Sequence, residues 1–115
     1  MLEIDIECRK GLFFIRLNGI LNNETVFKFK EEVIDIIELN GIKNIVFNLE
    51  NLCYIDETGI DFLNKLYKFT NRIFGNIYFC NLKNNIVNKK IINSNLLEHI
   101  EVVKNELDIL HQIQI

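Results

Sequence analysis

The sequence predicts an α/β fold in which about four α-helices pack on a mixed, four- to five-stranded β-sheet. Short apolar segments rich in β-branched and aromatic residues are typical of strands, and they alternate with longer segments whose apolar residues recur every three to four positions. The first two strand segments are separated by a tight turn, which favours an antiparallel hairpin. With 115 residues, the chain is expected to form a single domain over residues 1–115.

The first third of the chain predicts two strands and a helix. Alternating apolar and charged residues predict an edge strand at Leu2–Arg9, and the apolar run at 12–17 predicts its hairpin partner. A helical stripe of apolar residues then covers 24–40. We expect Asn23 to cap this helix at its start, and Gly41 to end it in the left-handed conformation.

The rest of the chain continues the alternation. The helix that starts at Asn85 is expected to bury one side, and the segment 99–103 is ambiguous between a short strand and a helix. The predicted elements are a strand buried on both faces at 42–49, a helix at 58–72, a strand at 76–80, a helix from Asn85 with Ile86, Val87, Ile91 and Ile92 on one side, and a last helix over 106–113.

Composition excludes several classes of function. The net charge of −3 argues against a nucleic-acid binder, which needs a basic face for phosphate contacts. Lys83, Lys89 and Lys90 form the one candidate basic patch, and we interpret them as a solvated surface. Residues 1–6 lack the basic start and apolar core of a signal peptide, and no apolar run approaches the ~20 residues of a membrane span. We therefore expect a cytoplasmic protein without membrane insertion.

The cysteines and histidines indicate neither metal nor redox chemistry. Cys8, Cys53 and Cys80 are far apart and form no Cys-x-x-Cys pair, and His99 and His111 have no ligand spacing around them. Cys53 and Cys80 lie among apolar residues and are interpreted as small core residues. Glycine-rich nucleotide loops are also absent from the sequence, so no cofactor is predicted.

The most informative stretch is 48–63, where a buried strand ends, a loop crosses its carboxyl end and a helix begins. Ligands and partners usually bind at this edge of an α/β sheet. The end of this loop contains two carboxylates, a hydroxyl and a flexible glycine, in the order Asp56-Glu57-Thr58-Gly59. A catalytic role for the carboxylates is not expected, because the sequence supplies no nucleophile–base pair with them.

Two interpretations of these residues remain open from their chemistry alone. In the structural one, Thr58 or Asp56 is only a helix N-cap, which contributes about 1 kcal/mol, and Thr58 with Asp61 imitates a capping box. In the functional one, another enzyme phosphorylates the exposed hydroxyl and adds about −1.5 to −2 charge beside Asp56, Glu57 and Asp61. Gly59 would then keep side-chain bulk away from an approaching partner. Docking would be controlled by charge without a refold.

The stretch 48–60 reads Asn-Leu-Glu-Asn-Leu-Cys-Tyr-Ile-Asp-Glu-Thr-Gly-Ile. It resembles the signature of STAS domains, and among them the signature of the bacterial anti-sigma factor antagonists. The run Gly-Ile-Leu-Asn at 19–22 is similar to the Gly-x-Leu-Asp run that precedes the first helix in that family, with Asn22 in place of Asp. The resemblance implies that this run lies near the phosphorylatable residue. The family's phosphorylatable hydroxyl stands immediately before the glycine, where this chain has Thr58. Glu57 stands where many relatives have Ser.

The resemblance implies a STAS-like fold and a partner-switching function. Unphosphorylated, the protein would bind an anti-sigma factor with serine/threonine kinase activity, which brings its own Mg·ATP; phosphorylated on Thr58, it would release it. The oligomeric state, monomer or weak dimer, stays open. The residues expected at the partner interface are Asn22, Asp56, Glu57, Thr58, Gly59, Ile60 and Asp61.

Two other functions compete with this one. STAS domains also serve as scaffold pieces of signalling assemblies and as accessory subunits of lipid-transport ABC complexes, where the same surface would be a constitutive interface. An enzyme or nucleotide binder is the third hypothesis, and we expect no binding of ATP or GTP by the isolated domain.

Overall fold

The computed structural model describes residues 1–113, apart from the side chains of residues 39, 40 and 113. Five strands form one mixed sheet in the order β1-β2-β3-β4-β5. The first two strands pair antiparallel, and every later neighbouring pair is parallel. The strands are β1 (Leu2–Arg9), β2 (Leu12–Leu21), β3 (Asn44–Ile55), β4 (Asn76–Cys80) and β5 (Glu101–Val103).

Four helices connect and cover these strands, which confirms the predicted fold class. The first helix, α1, spans residues 26–40 and is not uniform, because a π-helical segment interrupts it. The parts of α1 are α-helix Val26–Phe29, π-helix Lys30–Ile34 and α-helix Asp35–Asn40. The other three helices are α2 (Glu57–Arg72), α3 (Asn85–Asn93) and α4 (Glu106–Ile113), and a 3₁₀ turn lies at Leu96–Glu98.

The two faces of the sheet carry separate apolar clusters. Side chains alternate between faces along a strand, so Phe13 and Ile15 of β2 join the larger cluster while Phe14 joins the smaller one. The larger cluster includes buried residues of α1, α2 and α3. The smaller one includes Ile109 and Leu110 of α4. Three helices therefore cover one face, and α4 covers part of the other.

Strands β2 and β3 run further than the sequence pattern predicts. They stay paired as far as Leu21 and Ile55, although their register shifts between Arg16 and Asn18 and again between Gly19 and Ile20. Such bulges break the period-two alternation from which strands are recognised. Residues 50–55, interpreted as a loop, are therefore the end of β3.

The start of α1 also differs from the prediction. Asn23 does not cap the helix, because the helix begins at Val26 with Thr25 in the N-cap position. Instead the Asn22 side chain closes the preceding turn. The C-terminal prediction is confirmed, since Gly41 ends the helix in the left-handed region with φ 59°.

Three burial predictions are wrong. Cys53 is exposed, although Leu52 and Ile55 at the same end of β3 are buried in the larger cluster, whereas Cys80 is buried as predicted. Burial raises the pKa of the Cys80 thiol to about 12. On α3, Val87 and Ile91 are buried, but Ile86 and Ile92 each expose 55% of their surface. The buried side of α3 is narrower than the apolar pattern suggests.

A network of ionic hydrogen bonds joins α4 to the sheet. The Arg16 guanidinium on β2 donates to both carboxylate oxygens of Glu106, at 2.9 and 2.8 Å. It also donates to Asp5 and Glu7 on β1, and the Asn48 amide of β3 donates to Glu106 at 2.8 Å. Planar bidentate pairing is the strongest geometry open to an Arg–carboxylate pair. One guanidinium thus joins β2 to β1 and α4, and β3 enters the network through Glu106.

We predict that Glu106→Gln lowers the free energy of unfolding by about 1 kcal/mol at pH 7, because Arg16 loses its bidentate anion. The hydrogen bond from Arg16 holds the pKa of Glu106 below its ordinary value of 4.5, so this stabilisation is present above that pH and is lost as the pH falls through the folded-state pKa. Urea unfolding at pH 7 and pH 3 checks both points. The exposed Glu3→Gln provides the control, and equal losses in the two variants would contradict the prediction.

Candidate functional site

The connection between β3 and α2 contains no loop, in contrast to the prediction. Asp56 alone separates Ile55, the last residue of β3, from Glu57, the first residue of α2. Asp56 is the helix N-cap, and its Oδ1 accepts the backbone N–H of Gly59 at 2.9 Å. Of the two capping alternatives that the sequence left open, the structure selects Asp56 and leaves the Thr58 hydroxyl without a capping role.

The second oxygen of Asp56 connects the two helix starts. Its Oδ2 accepts the backbone N–H of Asn23, in the turn before α1, at 3.1 Å. The Asp56 backbone N–H donates to the Leu21 carbonyl at the end of β2. The turn at 22–25 and the first turn of α2 are therefore neighbours, in agreement with the expectation that residues 19–22 lie near Thr58.

Asn22 stabilises its own turn. Its Oδ1 accepts the backbone N–H groups of Glu24 and Thr25, at 3.0 and 3.1 Å. The Thr25 hydroxyl donates to the Ile20 carbonyl and accepts the Asn22 N–H. An aspartate carboxylate could accept the same two N–H groups. The turn therefore requires an oxygen acceptor at position 22 but no negative charge.

The first turn of α2 divides the expected interface residues into two groups. Glu57, Thr58 and Asp61 are exposed, whereas Ile60 is half-buried and Gly59 is buried. Within residues 1–113, no group forms a hydrogen bond with the Thr58 hydroxyl. That hydroxyl is accessible from solvent, and the exposed carboxylates of Glu57 and Asp61 lie on the first and second turns of the same helix.

Gly59 owes its place to packing against the sheet. A Cβ at this position would lie 2.9 Å from the Leu21 carbonyl oxygen and 2.9 Å from Cγ1 of Ile55. Both distances are shorter than van der Waals contact. The space left by the absent side chain therefore faces the ends of β2 and β3, so the packing of α2 on the sheet by itself requires a glycine at this position.

Two grooves lie along α2. The α2–α3 groove, about 570 Å³, is lined by Glu57, Ile60 and Asp61 on one side and by Ile86, Lys89 and Lys90 on the other. The α1–α2 groove, about 450 Å³, has an apolar floor that includes Ile34, Phe62 and Phe69, and Lys30 and Lys65 lie on its rim.

Sequence reasoning placed no residue of α1 or α3 in the candidate site, although both helices contribute to the grooves beside α2. Phe27, 67% exposed, and Lys30 lie on α1, while Ile86 and Lys90 lie on α3. Lys90 is placed with its ammonium 5.3 Å from the Tyr54 ring centroid. Phe27 had one sequence signal, because it is an apolar residue off the buried stripe of α1, whereas the sequence pattern had assigned Ile86 to a buried side and Lys90 to a solvated surface.

The described residues offer no sign of a metal centre or of a membrane segment. No group of three or more potential ligands among them is placed to hold a metal ion. No helix in residues 1–113 is long and apolar enough to cross a bilayer.

We predict that Asp56→Ala lowers the free energy of unfolding by about 1–2 kcal/mol, because two backbone N–H groups lose their acceptor. Chemical denaturation measures the loss. Asp61→Ala removes an exposed carboxylate from the same helix and serves as the control, for which we expect less than about 0.5 kcal/mol. Similar losses in the two variants would contradict the bridging role of Asp56.

Gly59→Ala is expected to destabilise the protein by about 1–2 kcal/mol, although alanine favours a helix by about 1 kcal/mol over glycine. The added methyl meets a backbone oxygen that belongs to the sheet, so α2 must shift outward. Thermal unfolding tests this against Thr58→Ala, which makes an exposed change one residue away. A Gly59→Ala protein as stable as the parent would show that the packing argument is wrong.

Comparison with known proteins agrees with this geometry. The family model of the STAS domain matches residues 3–109. The chain is 25% identical to an anti-sigma F factor antagonist of Paenibacillus polymyxa over 114 residues, which are 99% of this chain and 97% of that protein.

Solved structures show the same fold. An anti-sigma factor antagonist from Mycobacterium paratuberculosis aligns with a TM-score of 0.87 at 12% identity, over 100% of this chain and 96% of that one. The phosphorylated form of the Bacillus cell fate determinant SpoIIAA aligns with a TM-score of 0.75 at 18% identity, over 97% of this chain and 100% of that one. The match of the family model across nearly the whole described chain, together with this fold, shows that the protein belongs to the STAS domain family.

Proposed function

We propose that this protein is an anti-sigma factor antagonist that binds an anti-sigma factor with serine/threonine kinase activity and is released when Thr58 is phosphorylated. The observation that carries the proposal is the exposed Thr58 hydroxyl, on the first turn of α2 and without a hydrogen-bond partner among residues 1–113. The name of the Paenibacillus polymyxa relative supports the same function. The protein is proposed to act in the cytoplasm, where sigma factors operate.

The charges around Thr58 account for the direction of the switch. A phosphate brings about −1.5 to −2 charge to a helix start that already carries Glu57 in its first turn and Asp61 in its second. The backbone N–H of Gly59, which would otherwise be free to receive an anion, is already taken by Asp56. The added charge therefore stays at the surface, where it repels an acidic partner and raises the cost of burying the interface.

A partner is proposed to cover the first turn of α2 and the turn before α1 together. Asp56 holds these two turns side by side through its hydrogen bonds to Gly59 and Asn23. The interface would contain Glu57, Thr58, Ile60 and Asp61 directly, while Asn22, Asp56 and Gly59 shape the backbone beneath it.

The proposal predicts that the anti-sigma kinase of the same organism, with Mg·ATP, adds a single phosphate to the protein and that Thr58→Ala abolishes the addition. Thr58→Ser, which keeps the hydroxyl, is expected to be phosphorylated. Phosphorylation should weaken binding to the kinase about tenfold or more, because like charges meet at a desolvated surface. Intact-mass analysis and calorimetry of the two forms measure both effects.

A kinase that binds the protein but leaves Thr58 unmodified would favour the competing function, a constitutive scaffold or transporter subunit. Glu57 gives that alternative its one structural support, since a permanent carboxylate already lies beside the hydroxyl. In that case Thr58→Ala would leave binding unchanged, whereas Asp61→Lys would disrupt it. Absence of both binding and phosphorylation would reject the antagonist function.

A further inference from the structure

Lys30 holds an unusual position next to the proposed phosphorylation site. Its ammonium lies 5.7 Å from the ring centroid of Phe27, one turn back on α1, and 5.6 Å from that of Phe62 on α2. Both contacts fall within the range of cation–π attraction. Among the described ion pairs none involves Lys30, so its charge faces two aromatic rings.

We propose that Lys30 is the internal counter-ion of phosphorylated Thr58: once the phosphate is attached, the Lys30 ammonium leaves the two rings and pairs with it. The inference rests on the proposed function, because it requires a phosphate on Thr58. It adds a residue of α1, distant in sequence, to the switch.

Helix geometry places Lys30 at the turn that carries Thr58. Thr58 and Phe62 are four residues apart and therefore neighbours on one side of α2. A helical aromatic side chain leans toward the preceding turn, so the Phe62 ring covers the surface beside Thr58. An ammonium 5.6 Å from that ring is within a short rotation of its flexible stem from a phosphate on residue 58.

The helix starts are also fixed relative to each other. Asp56 accepts from Asn23 and from Gly59, so α1 and α2 begin side by side. Residues one to two turns into α1 therefore stand beside the first two turns of α2. Phe29 of α1 packs on Phe62 with ring centroids 4.8 Å apart, which holds the two helices at this level.

The other charges near Thr58 do not substitute for Lys30. Glu57 and Asp61 repel a phosphate, and they lie on the α2–α3 groove between Thr58 and the lysines of α3, Lys89 and Lys90. Lys65 is seven residues along α2, about 10 Å away along the helix axis. Asp56 adds a further negative charge at the cap, and Glu31 lines the α1–α2 groove next to Lys30.

The pairing would change the shape of the surface as well as its charge. In the unmodified protein, Lys30 covers part of Phe27, which is 67% exposed. When the ammonium turns to the phosphate, the Phe27 and Phe62 rings lose their cation. A partner that packs on Phe27 then meets a different surface, and the phosphate gains a lysine that shields it.

The test uses the full chain with phosphothreonine incorporated at position 58 during translation, so it does not depend on any kinase. Titration by ³¹P NMR measures the second pKa of the phosphate. A neighbouring cation favours the doubly charged form and lowers that pKa, so Lys30→Met is expected to raise it by about 0.5. Lys30→Arg keeps the charge and should keep the low pKa.

Lys28→Met is the matched control, because it removes the same charge from the exposed surface of the same helix, about 200° around it. We expect a change below about 0.1 for this variant. The ring-proton shifts of Phe27 and Phe62 should also change on phosphorylation in the parent and stay unchanged in Lys30→Met.

Equal pKa changes in Lys30→Met and Lys28→Met, or a change produced by Lys90→Met instead, would overturn the proposal. Thermal unfolding of each variant establishes that it is folded, and Lys30→Gln, which also removes the charge, carries the test if Lys30→Met is not. Failure of a kinase to modify Thr58 would reject the proposed function and leave this measurement intact. Absence of a pKa change would reject the ion pair alone.

Discussion

One carboxylate determines the geometry of the candidate site. Asp56 follows β3 directly, caps α2 through one oxygen and holds the turn before α1 through the other. Two segments more than thirty residues apart, at Asn23 and Gly59, are thereby brought to one edge of the sheet. Because a charged acceptor makes stronger hydrogen bonds than a neutral one, both turns gain a fixed position from a single side chain.

This arrangement separates the residues that hold the site from those that face outward. Asp56 and Gly59 face the protein, the first as a cap and the second because any side chain would collide with the end of β2. Thr58, between a charged neighbour and that glycine, is left exposed. A modification of its hydroxyl changes the surface charge while the packing beneath it stays in place, which is what a switch without refolding requires.

The opposite face of the sheet is organised by a different interaction. Arg16 pairs with Glu106, Asp5 and Glu7, and so ties α4 to β1 and β2 beside a small apolar cluster. The Arg16 network and the Asp56 bridge lie at separate places in the fold. Changes at Thr58 therefore act on a part of the molecule that α4 does not support.

The sequence by itself determined the order of the elements, their type outside the segment 99–103, and the residue types between β3 and α2. Local apolar periodicity and the Asp-Glu-Thr-Gly run can be recognised without any distant contact. The sequence-based prediction failed where contacts between distant segments determine the structure. The register shifts between β2 and β3 hid the last six residues of β3, where Cys53 is exposed. The packing of α3 left Ile86 exposed, and the reason for Gly59 lay in a carbonyl of another strand. Only the tertiary structure placed Asn23 on Asp56 and Lys30 beside Phe62, since those contacts join segments that the chain keeps far apart.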